Sequence, residues 1–420
     1  MLPRTLRRLE AFLLSRSFPA VCLVAAVLVR VVWMLLVDPK PVSDFDWYYT
    51  RAIDISLGHG YQDGGAPTAA WPVGYPAFLG ALFAVFGHSL LVAKIANLAL
   101  SVGIILLTSW MAGRLFRSAL TARVTMLVLS LYPNHIAYTS LVASEPLSMF
   151  LIMLGIGFLL IERSRFLMTV LAGASFGLSC LVRPQGLPIP LILVLLPRSG
   201  LRPFGGRLLS AACVYAALLL VLVPWTIRNY KAFGGVFLVS TNGGGNLLIG
   251  NNPWANGTYV VPPAADSMFS YRGNEYERDR GYHKLAVEYI RTHPVEILKL
   301  LPKKVWYLYR GDVEGIRWSF EGMEAKGERV PAGPATAIVA LAEAYYLLLV
   351  AACAMSCILF VRSLRSGRDV AFSTMGVGVL AYFTFLGLVF YGGSRYHFPV
   401  MPFVAMYAAW LPEALRTVRR

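Results

Sequence analysis

The sequence is dominated by apolar runs, most of them long enough to cross a bilayer. A hydrocarbon core of roughly 30 Å needs about 20 residues of helix. The runs cover residues 18–37, 90–112, 123–141, 143–161, 166–182, a shorter 187–196, 208–225, 335–361, 370–391 and 398–411. Lipid cannot hydrogen-bond an open backbone. The sequence therefore predicts an all-α polytopic membrane protein with about ten transmembrane helices.

Composition and charge agree with that class. Hydrophobic residues make up 57% of the chain and charged residues 14%, which is more apolar surface than a soluble fold buries. The net charge of +16 comes from short basic clusters between the runs, and nucleic-acid binding typically needs one continuous basic patch. The cysteines all lie inside apolar runs and predict no disulfide framework.

Arginines near the run ends predict the topology. Arg8 and Arg16 precede the first run, and Arg114 and Arg117 follow the second. Because arginine is retained in the cytoplasm, we expect a multi-pass protein of the cell inner (plasma) membrane with both termini cytoplasmic and the active site on the periplasmic face.

Most acidic residues fall in the segments expected on the opposite face. We predict an N-terminal transmembrane module over 1–226 with a catalytic first outer loop at 38–72, a large non-cytoplasmic loop with amphipathic helices over 227–334, and C-terminal transmembrane helices over 335–420. The segment 77–86 is too short to span, and the glycine-rich 241–246 predicts a turn. The first outer loop and the large non-cytoplasmic loop hold most of the polar residues that could take part in chemistry.

Two acids open the first outer loop in Ser43-Asp44-Phe45-Asp46. A carboxylate at the bilayer edge is costly to desolvate and can act as a base toward an incoming hydroxyl. Asp46 has a structural alternative, because it stands three residues after Ser43 and the pair can form a helix capping box. Asp44 is therefore the stronger candidate for the catalytic base.

Glu145 lies between two long apolar runs, in Ser144-Glu145-Pro146. A Ser144 cap with Pro146 in the first helical turn would explain it structurally. An acid at membrane depth is by default a functional candidate, so we predict a catalytic-site role.

Three basic residues come to the outer ends of their runs: Arg183, Arg395 and Lys94. A guanidinium matches phosphate oxygens bidentately, which favours phosphate binding. Snorkelling to the interface is the alternative, and it is stronger for Lys94. Arg30, inside the first run, is too deep to assign.

The four residues Asp44, Glu145, Arg183 and Arg395 reach one membrane face from separate parts of the chain if the runs alternate in direction. Carboxylates and arginines would then share one cavity. Such a site suits sugar transfer from a lipid phosphate, since arginines neutralise the departing phosphate while a carboxylate deprotonates the acceptor.

The order of these motifs resembles the GT-C superfamily of membrane glycosyltransferases, especially the branch of the protein mannosyltransferases and the lipid A aminoarabinose transferase. The resemblance covers most of the chain. The residues that carry it are Asp44 with Tyr48, Leu57-Gly58-His59-Gly60-Tyr61, Trp71-Pro72-Val73-Gly74-Tyr75-Pro76, Ser144-Glu145-Pro146-Leu147, Arg183-Pro184, Gly250-Asn251-Asn252-Pro253, and Arg395-Tyr396 with Pro399 and Pro402.

The resemblance implies a polyprenyl-phosphate-linked sugar donor and inversion at the anomeric carbon, with Asp44 as base and Asp46 and Glu145 in support. The donor phosphate would meet Arg183, Arg395, Tyr396 and Lys94, and the substrate pocket would include Tyr48, Tyr75, Asn251 and Asn252. The enzyme would be a hexosyl- or pentosyltransferase acting on a lipid, glycan or protein acceptor. The Glu-Lys-Pro of the aminoarabinose branch is missing before Tyr75. No cofactor is fixed, and a divalent cation stays an open alternative.

Two other functions also need charged residues at membrane depth. One is a transporter or flippase of lipid-linked sugars, although the inverted repeats common in such proteins are not evident here. The other is a polymerase or ligase that uses a lipid-diphosphate oligosaccharide.

Overall fold

The computed structural model describes residues 4–161, 163–195, 204–260, 273–365 and 374–419, and nearly all of them lie in helices or short connections. One small antiparallel hairpin, β1 (Gln62–Asp63) with β2 (Ala66–Pro67), closes part of the first outer loop. The helices are α1 (Arg4–Leu13), α2 (Phe18–Leu36), α3 (Asp44–Ser56), α4 (Gly74–Phe86), α5 (Leu90–Phe116), α6 (Ala119–Ser130), α7 (Pro133–Ala137), α8 (Glu145–Leu159), α9 (Arg165–Val182), α10 (Ile189–Leu195), α11 (Phe204–Phe233), α12 (Gly243–Gly250), α13 (Glu275–Thr292), α14 (Pro294–Tyr309), α15 (Glu314–Ala325), α16 (Ala332–Arg365), α17 (Met375–Val389) and α18 (Met401–Arg419).

The all-α polytopic architecture is confirmed, but the expected spans differ in length. Within the described residues, 6 helices are long and apolar enough to cross a membrane, or up to 7 if one bent pair counts as a single span. The helices α4, α6 and α17 are apolar but shorter. The end of the run 187–196 and the start of the run 370–391 lie outside the described residues.

The run expected over 123–141 is not one helix. Helix α6 ends at Ser130, α7 begins at Pro133, and the segment Pro133–Ser140 meets α8 at an angle of 118°. Proline lacks a backbone N–H and disfavours helical geometry in the residue before it, so the helix stops there. The chain therefore changes direction between α6 and the start of α8 at Glu145.

Arg30 stabilises this break from within α2. Its side chain is fully buried, and Nη1 and Nη2 donate to the carbonyls of Ser130 and Leu129 at 2.8 and 3.1 Å. Those carbonyls belong to the last turn of α6, where helical partners are missing. Nε also donates to Ser101 at 2.8 Å. Arg30 therefore joins α2, α5 and α6.

The central helices pack closely through small residues. Helix α9 packs against α8 and α11, α5 against α6 and α8, and α16 against α18. A Cβ atom at Gly173 would lie 2.4 Å from the carbonyl oxygen of Val214. Small residues allow this backbone approach between membrane helices.

Most of the described residues of the large outer segment are helical, and two boundaries differ from expectation. The boundary expected after residue 226 lies inside α11, which continues to Phe233. The turn expected over 241–246 is wrong from Gly243 onward, because α12 begins there. Asp279 explains this: its Oδ1 accepts from the backbone N–H groups of Gly244 and Gly245 at 2.6 and 3.3 Å. Burial raises the pKa of this carboxyl.

Candidate active site

Glu145 is the centre of the site. Its Oε1 accepts a hydrogen bond from Nη2 of Arg183 at 2.6 Å and a second one from Nε of Arg395. The side chain is only 1% exposed. Two guanidinium groups therefore share one carboxylate oxygen in a buried position.

Arg395 extends the arrangement to the first outer loop. Its Nη1 donates to Oδ2 of Asp44 at 2.8 Å, and its guanidinium carbon lies 5.6 Å from the centre of the Phe45 ring. We call Asp44, Glu145, Arg183 and Arg395 the charged cluster. Two acids and two arginines make it formally neutral, which offsets the cost of burying each charge.

All four side chains stand at helix ends. Asp44 is the first residue of α3, Glu145 is the first residue of α8, and Arg183 directly follows α9. Arg395 lies in the 3₁₀ helix Ser394–Val400. Carboxylates at helix N-termini are favoured by the helix dipole. Several helices therefore begin or end at the same level of the bundle, and the four charged side chains lie at that level.

Neither serine makes the cap that the sequence predicts. Ser43 has a φ of 52° and forms no side-chain cap, so the expected capping box with Asp46 is absent. Ser144 also makes no cap. Its hydroxyl instead accepts a hydrogen bond from Nε of Arg183 at 3.0 Å. Ser144 therefore binds an arginine of the charged cluster instead of capping its helix.

Two buried polar atoms of the charged cluster lack partners. Oε2 of Glu145 and Nη2 of Arg395 form no hydrogen bond within the part of the chain that the structure describes. Outside the charged cluster, the Tyr138 hydroxyl is also buried without a partner among the described residues. Buried polar groups are normally paired, and exceptions often mark a place where a ligand binds.

Aromatic residues wall the cluster on the side of the first outer loop. Tyr48 and Tyr75 are both buried and meet edge to face, with 5.5 Å between ring centres. Burial raises the pKa of Tyr48, against the opposing effect of the nearby arginines. Burial raises the pKa of Tyr75 as well, so both hydroxyls stay protonated at neutral pH and act as neutral hydrogen-bonding groups.

Two predicted site residues do not join the charged cluster. Asp46 is exposed, since residues two apart on a helix point about 200° away from each other. Lys94 is buried and pairs with Asp38, which also binds Lys326 at 2.8 Å. Hydrogen bonds from Lys326 and Lys94 lower the pKa of Asp38. The expected phosphate contact of Lys94 is not supported by this geometry.

The predicted pocket asparagines serve the protein itself. The amide nitrogen of Asn251 donates to the carbonyls of Leu247 and Val389, and its oxygen accepts from Lys304. Asn252 uses both ends of its amide in the same way, on local backbone groups. Their expected substrate contacts are therefore not supported.

Tyr396 follows Arg395 in the chain, but its hydroxyl forms its hydrogen bond outside the charged cluster. Its hydroxyl is 2.6 Å from the hydroxyl of Tyr391, which donates to Asn246 of α12 at 3.0 Å. Tyr396 thus links the 3₁₀ helix to the large outer loop.

Sequence analysis missed two residues near this site. Glu314 starts α15 and accepts from the hydroxyl of Ser394, the neighbour of Arg395, at 3.1 Å. Lys304 is fully buried and donates to Asn251 and to the carbonyl of Leu388 at 2.9 and 3.0 Å; burial lowers its pKa to about 8. In sequence, both lie in a polar outer segment where such residues are common.

Asp44 and Glu145 are the carboxylates that the charged cluster could offer to a divalent cation. Asp44 and Glu145 are each bound by arginine, and no group of three or more His, Cys, Asp or Glu suited to a metal occurs in the described part of the chain. Each of these carboxylates keeps one oxygen that no described residue binds.

Comparison with known proteins finds similarity only in three dimensions. No protein-family model matches the sequence, and no curated protein is significantly similar to it. The oligosaccharyltransferase of Archaeoglobus fulgidus in its apo form superposes with a TM-score of 0.57 at 14% identity, covering 96% of this chain and 51% of that one. The chain shares its fold with that oligosaccharyltransferase.

Further structures extend the comparison. The same archaeal protein, AglB, in complex with an inhibitory peptide and a dolichol-phosphate gives a TM-score of 0.55 at 14% identity over 96% of this chain and 51% of that chain. ArnT from Cupriavidus metallidurans gives 0.43 at 17% identity over 93% and 76%. This chain thus spans about half the length of the oligosaccharyltransferase.

Proposed function

We propose that this protein is an inverting glycosyltransferase that moves a sugar from a polyprenyl-phosphate-linked donor to an acceptor on the non-cytoplasmic face of the membrane. The observation that carries the proposal is the charged cluster, in which Arg395 bridges Asp44 and Glu145. It combines a partly exposed carboxylate with arginines at the end of a helical bundle. The transferred group would be a hexosyl or pentosyl residue.

Arg183 and Arg395 are suited to hold the donor phosphate. Nη2 of Arg395 is buried without a partner among the described residues, so it can donate to a phosphate oxygen without giving up an existing bond. Transfer turns a phosphodiester with one negative charge into a phosphomonoester that gains a second. Donors fixed before the reaction stabilise this developing charge. The structure of AglB, which has a similar fold, was solved in complex with a dolichol-phosphate.

Asp44 is suited to act as the base. Its Oδ2 is held by Arg395, its other oxygen has no partner within the described segments, and the side chain is 28% exposed. In the proposed step the acceptor oxygen attacks the anomeric carbon, the bond from that carbon to the phosphate oxygen breaks, and the proton of the acceptor passes to Asp44. The phosphate departs with the electron pair toward the arginines. Inversion follows from this in-line displacement.

The direct test is sugar transfer by the purified protein with radiolabelled polyprenyl-phosphate sugars as donors. Asp44→Asn should lower kcat by roughly 10²- to 10⁴-fold, the usual contribution of a general base. Asp46→Asn is the matched control, because it removes an exposed carboxylate two residues away and should leave the rate within about twofold. Full activity of Asp44→Asn would remove Asp44 from this role.

The two other functions give different results in the same preparation. A transporter would exchange lipid-linked sugar across proteoliposomes without any covalent product. A ligase that uses a diphosphate carrier would release a lipid heavier by one phosphate, which mass spectrometry of the lipid fraction distinguishes. Either outcome would replace the proposal made here.

A further inference from the structure

A cleft opens on the membrane face opposite the charged cluster. Lys94, near the start of α5, pairs with Asp38 of the first outer loop. Arg114 lies 20 residues further along the same helix, which corresponds to about 30 Å at the helical rise. The end of α5 therefore reaches the headgroup level of the other leaflet.

The cleft lies between the end of α5 and the start of α6 and has a volume of about 460 Å³. The two helices touch behind it: the hydroxyl of Ser109 donates to the carbonyl of Ala122 at 2.9 Å, and a Cβ atom on Gly113 would be 3.4 Å from that of Ala122. Arg117 closes the turn with a φ of 50°. This tight hairpin leaves a groove on its outer surface.

The groove is apolar at its base and basic at its mouth. Leu106, Trp110 and Met126 line the apolar part, and Arg114 and Arg123 line the rest. The guanidinium of Arg114 lies 5.5 Å from the centre of the Trp110 ring. Trp110 is 38% exposed, as expected for an aromatic residue at a lipid interface.

Neither Arg114 nor Arg123 forms an ion pair with a described residue. The acid on the neighbouring helix, Glu413, accepts a hydrogen bond from Ser118. Arg117 adds a third positive charge to the same turn. Snorkelling alone would need no groove, whereas basic pockets between helices at this depth are typical of anionic lipid headgroups.

We propose that this cleft binds the headgroup of an anionic phospholipid, with the phosphate between Arg114 and Arg123 and an acyl chain along Leu106 and Trp110. The charge of the groove complements an anionic lipid and not a zwitterionic one, whose own cation would face the arginines. The site is separate from the proposed sugar-transfer site, and it stands whether or not that function is correct.

Native mass spectrometry of the full chain in detergent, with phosphatidylglycerol or phosphatidylcholine added, tests the site. The double variant Arg114→Gln/Arg123→Gln should retain roughly 20-fold less phosphatidylglycerol, since each arginine near an anionic surface contributes about fivefold. Phosphatidylcholine retention should be low and unchanged. Arg163→Gln/Arg165→Gln is the control, because it removes two exposed arginines at another helix end.

A second variant tests the site if the double arginine variant does not fold. Ala119→Phe fills the cleft without changing charge, and it should also weaken phosphatidylglycerol retention. Equal losses in the cleft and control variants would mean that lipid follows total charge and no site exists. Undiminished retention in the cleft variants would overturn the proposal as well.

Discussion

Arg395 and Asp44 are 351 positions apart in the sequence, and Nη1 of the arginine donates to Oδ2 of the aspartate at 2.8 Å. The C-terminal helices are thus bound to the first outer loop by one charged hydrogen bond. Because Nε of the same arginine reaches Glu145, the contact depends on the planar fork of a guanidinium.

Arg395→Lys should therefore fail to replace arginine. A lysine ammonium is a point charge and cannot hold two carboxylates in this fixed geometry. We expect kcat to fall about 100-fold, the loss seen when one charge-stabilising donor is removed. The measurement is steady-state sugar transfer. Arg280→Lys, an exposed exchange in α13, should have no effect; equal activity of both variants would contradict the bridging role.

Glu145→Gln should destabilise the fold and then be partly rescued by phosphate. The substitution leaves Arg183 and Arg395 buried without a shared anion, and breaking a buried ion pair costs about 3 kcal/mol. A lipid phosphate offers new acceptor oxygens to both arginines. Thermal unfolding in detergent should show a lower Tm that rises more with undecaprenyl phosphate than the Tm of the original protein does. A uniform rise in both would argue against phosphate binding here.

Arg30→Met should lower stability without changing substrate binding. The carbonyls of Leu129 and Ser130 would lose their donor within the bilayer, at a cost of about 2 kcal/mol. Arg30→Lys keeps some of these hydrogen bonds and should lie between. We expect unchanged KM for donor and acceptor in both variants; a large change in KM would place Arg30 in a substrate path.

The meeting of Asp44, Glu145, Arg183 and Arg395 could be expected from the sequence, because topology assigns each to one face of the bilayer. A charge at the end of an apolar run is visible without knowing how the helices pack. The sequence does not show which of these four residues pair with each other. The pairing of arginines with acids depends on how each helix is rotated about its axis. The lengths of the apolar runs do not define that rotation.

Other features were hidden for the same reason. The run 123–141 is apolar throughout, so only Pro133 signals that its helix breaks, and nothing in the sequence shows that Arg30 caps the break. The glycines at 243–245 predict a turn locally, but Asp279, 35 residues away from Gly244, makes a helix start there. At the glycines a long-range hydrogen bond overruled the local pattern.

Lys304 predicts a dependence of stability on pH. Its folded pKa is about 8, below the roughly 10.5 of an exposed lysine, so between these values only the unfolded chain holds the proton. Stability should therefore rise as the pH increases from about 8 to about 10.5, and the gain is lost as pH falls through 8. Lys304→Met should show a flatter Tm profile than the exposed control Lys303→Met. If Tm depends on pH with the same slope in both variants, Lys304 is not the group that causes the pH dependence.

Tyr138→Phe separates a ligand contact from a packing role. The hydroxyl is buried without a partner in the described segments, and it is close enough to the charged cluster to interact electrostatically with Glu145 and Arg395. Removing an unpaired buried hydroxyl should raise stability, by about 1 kcal/mol. If that hydroxyl donates to substrate, the same variant should raise KM for the donor or the acceptor several-fold. Thermal unfolding and steady-state transfer on one preparation measure both effects. A drop in stability would show that the hydroxyl is already hydrogen-bonded in the folded protein, and an unchanged KM would restrict Tyr138 to packing against Phe398.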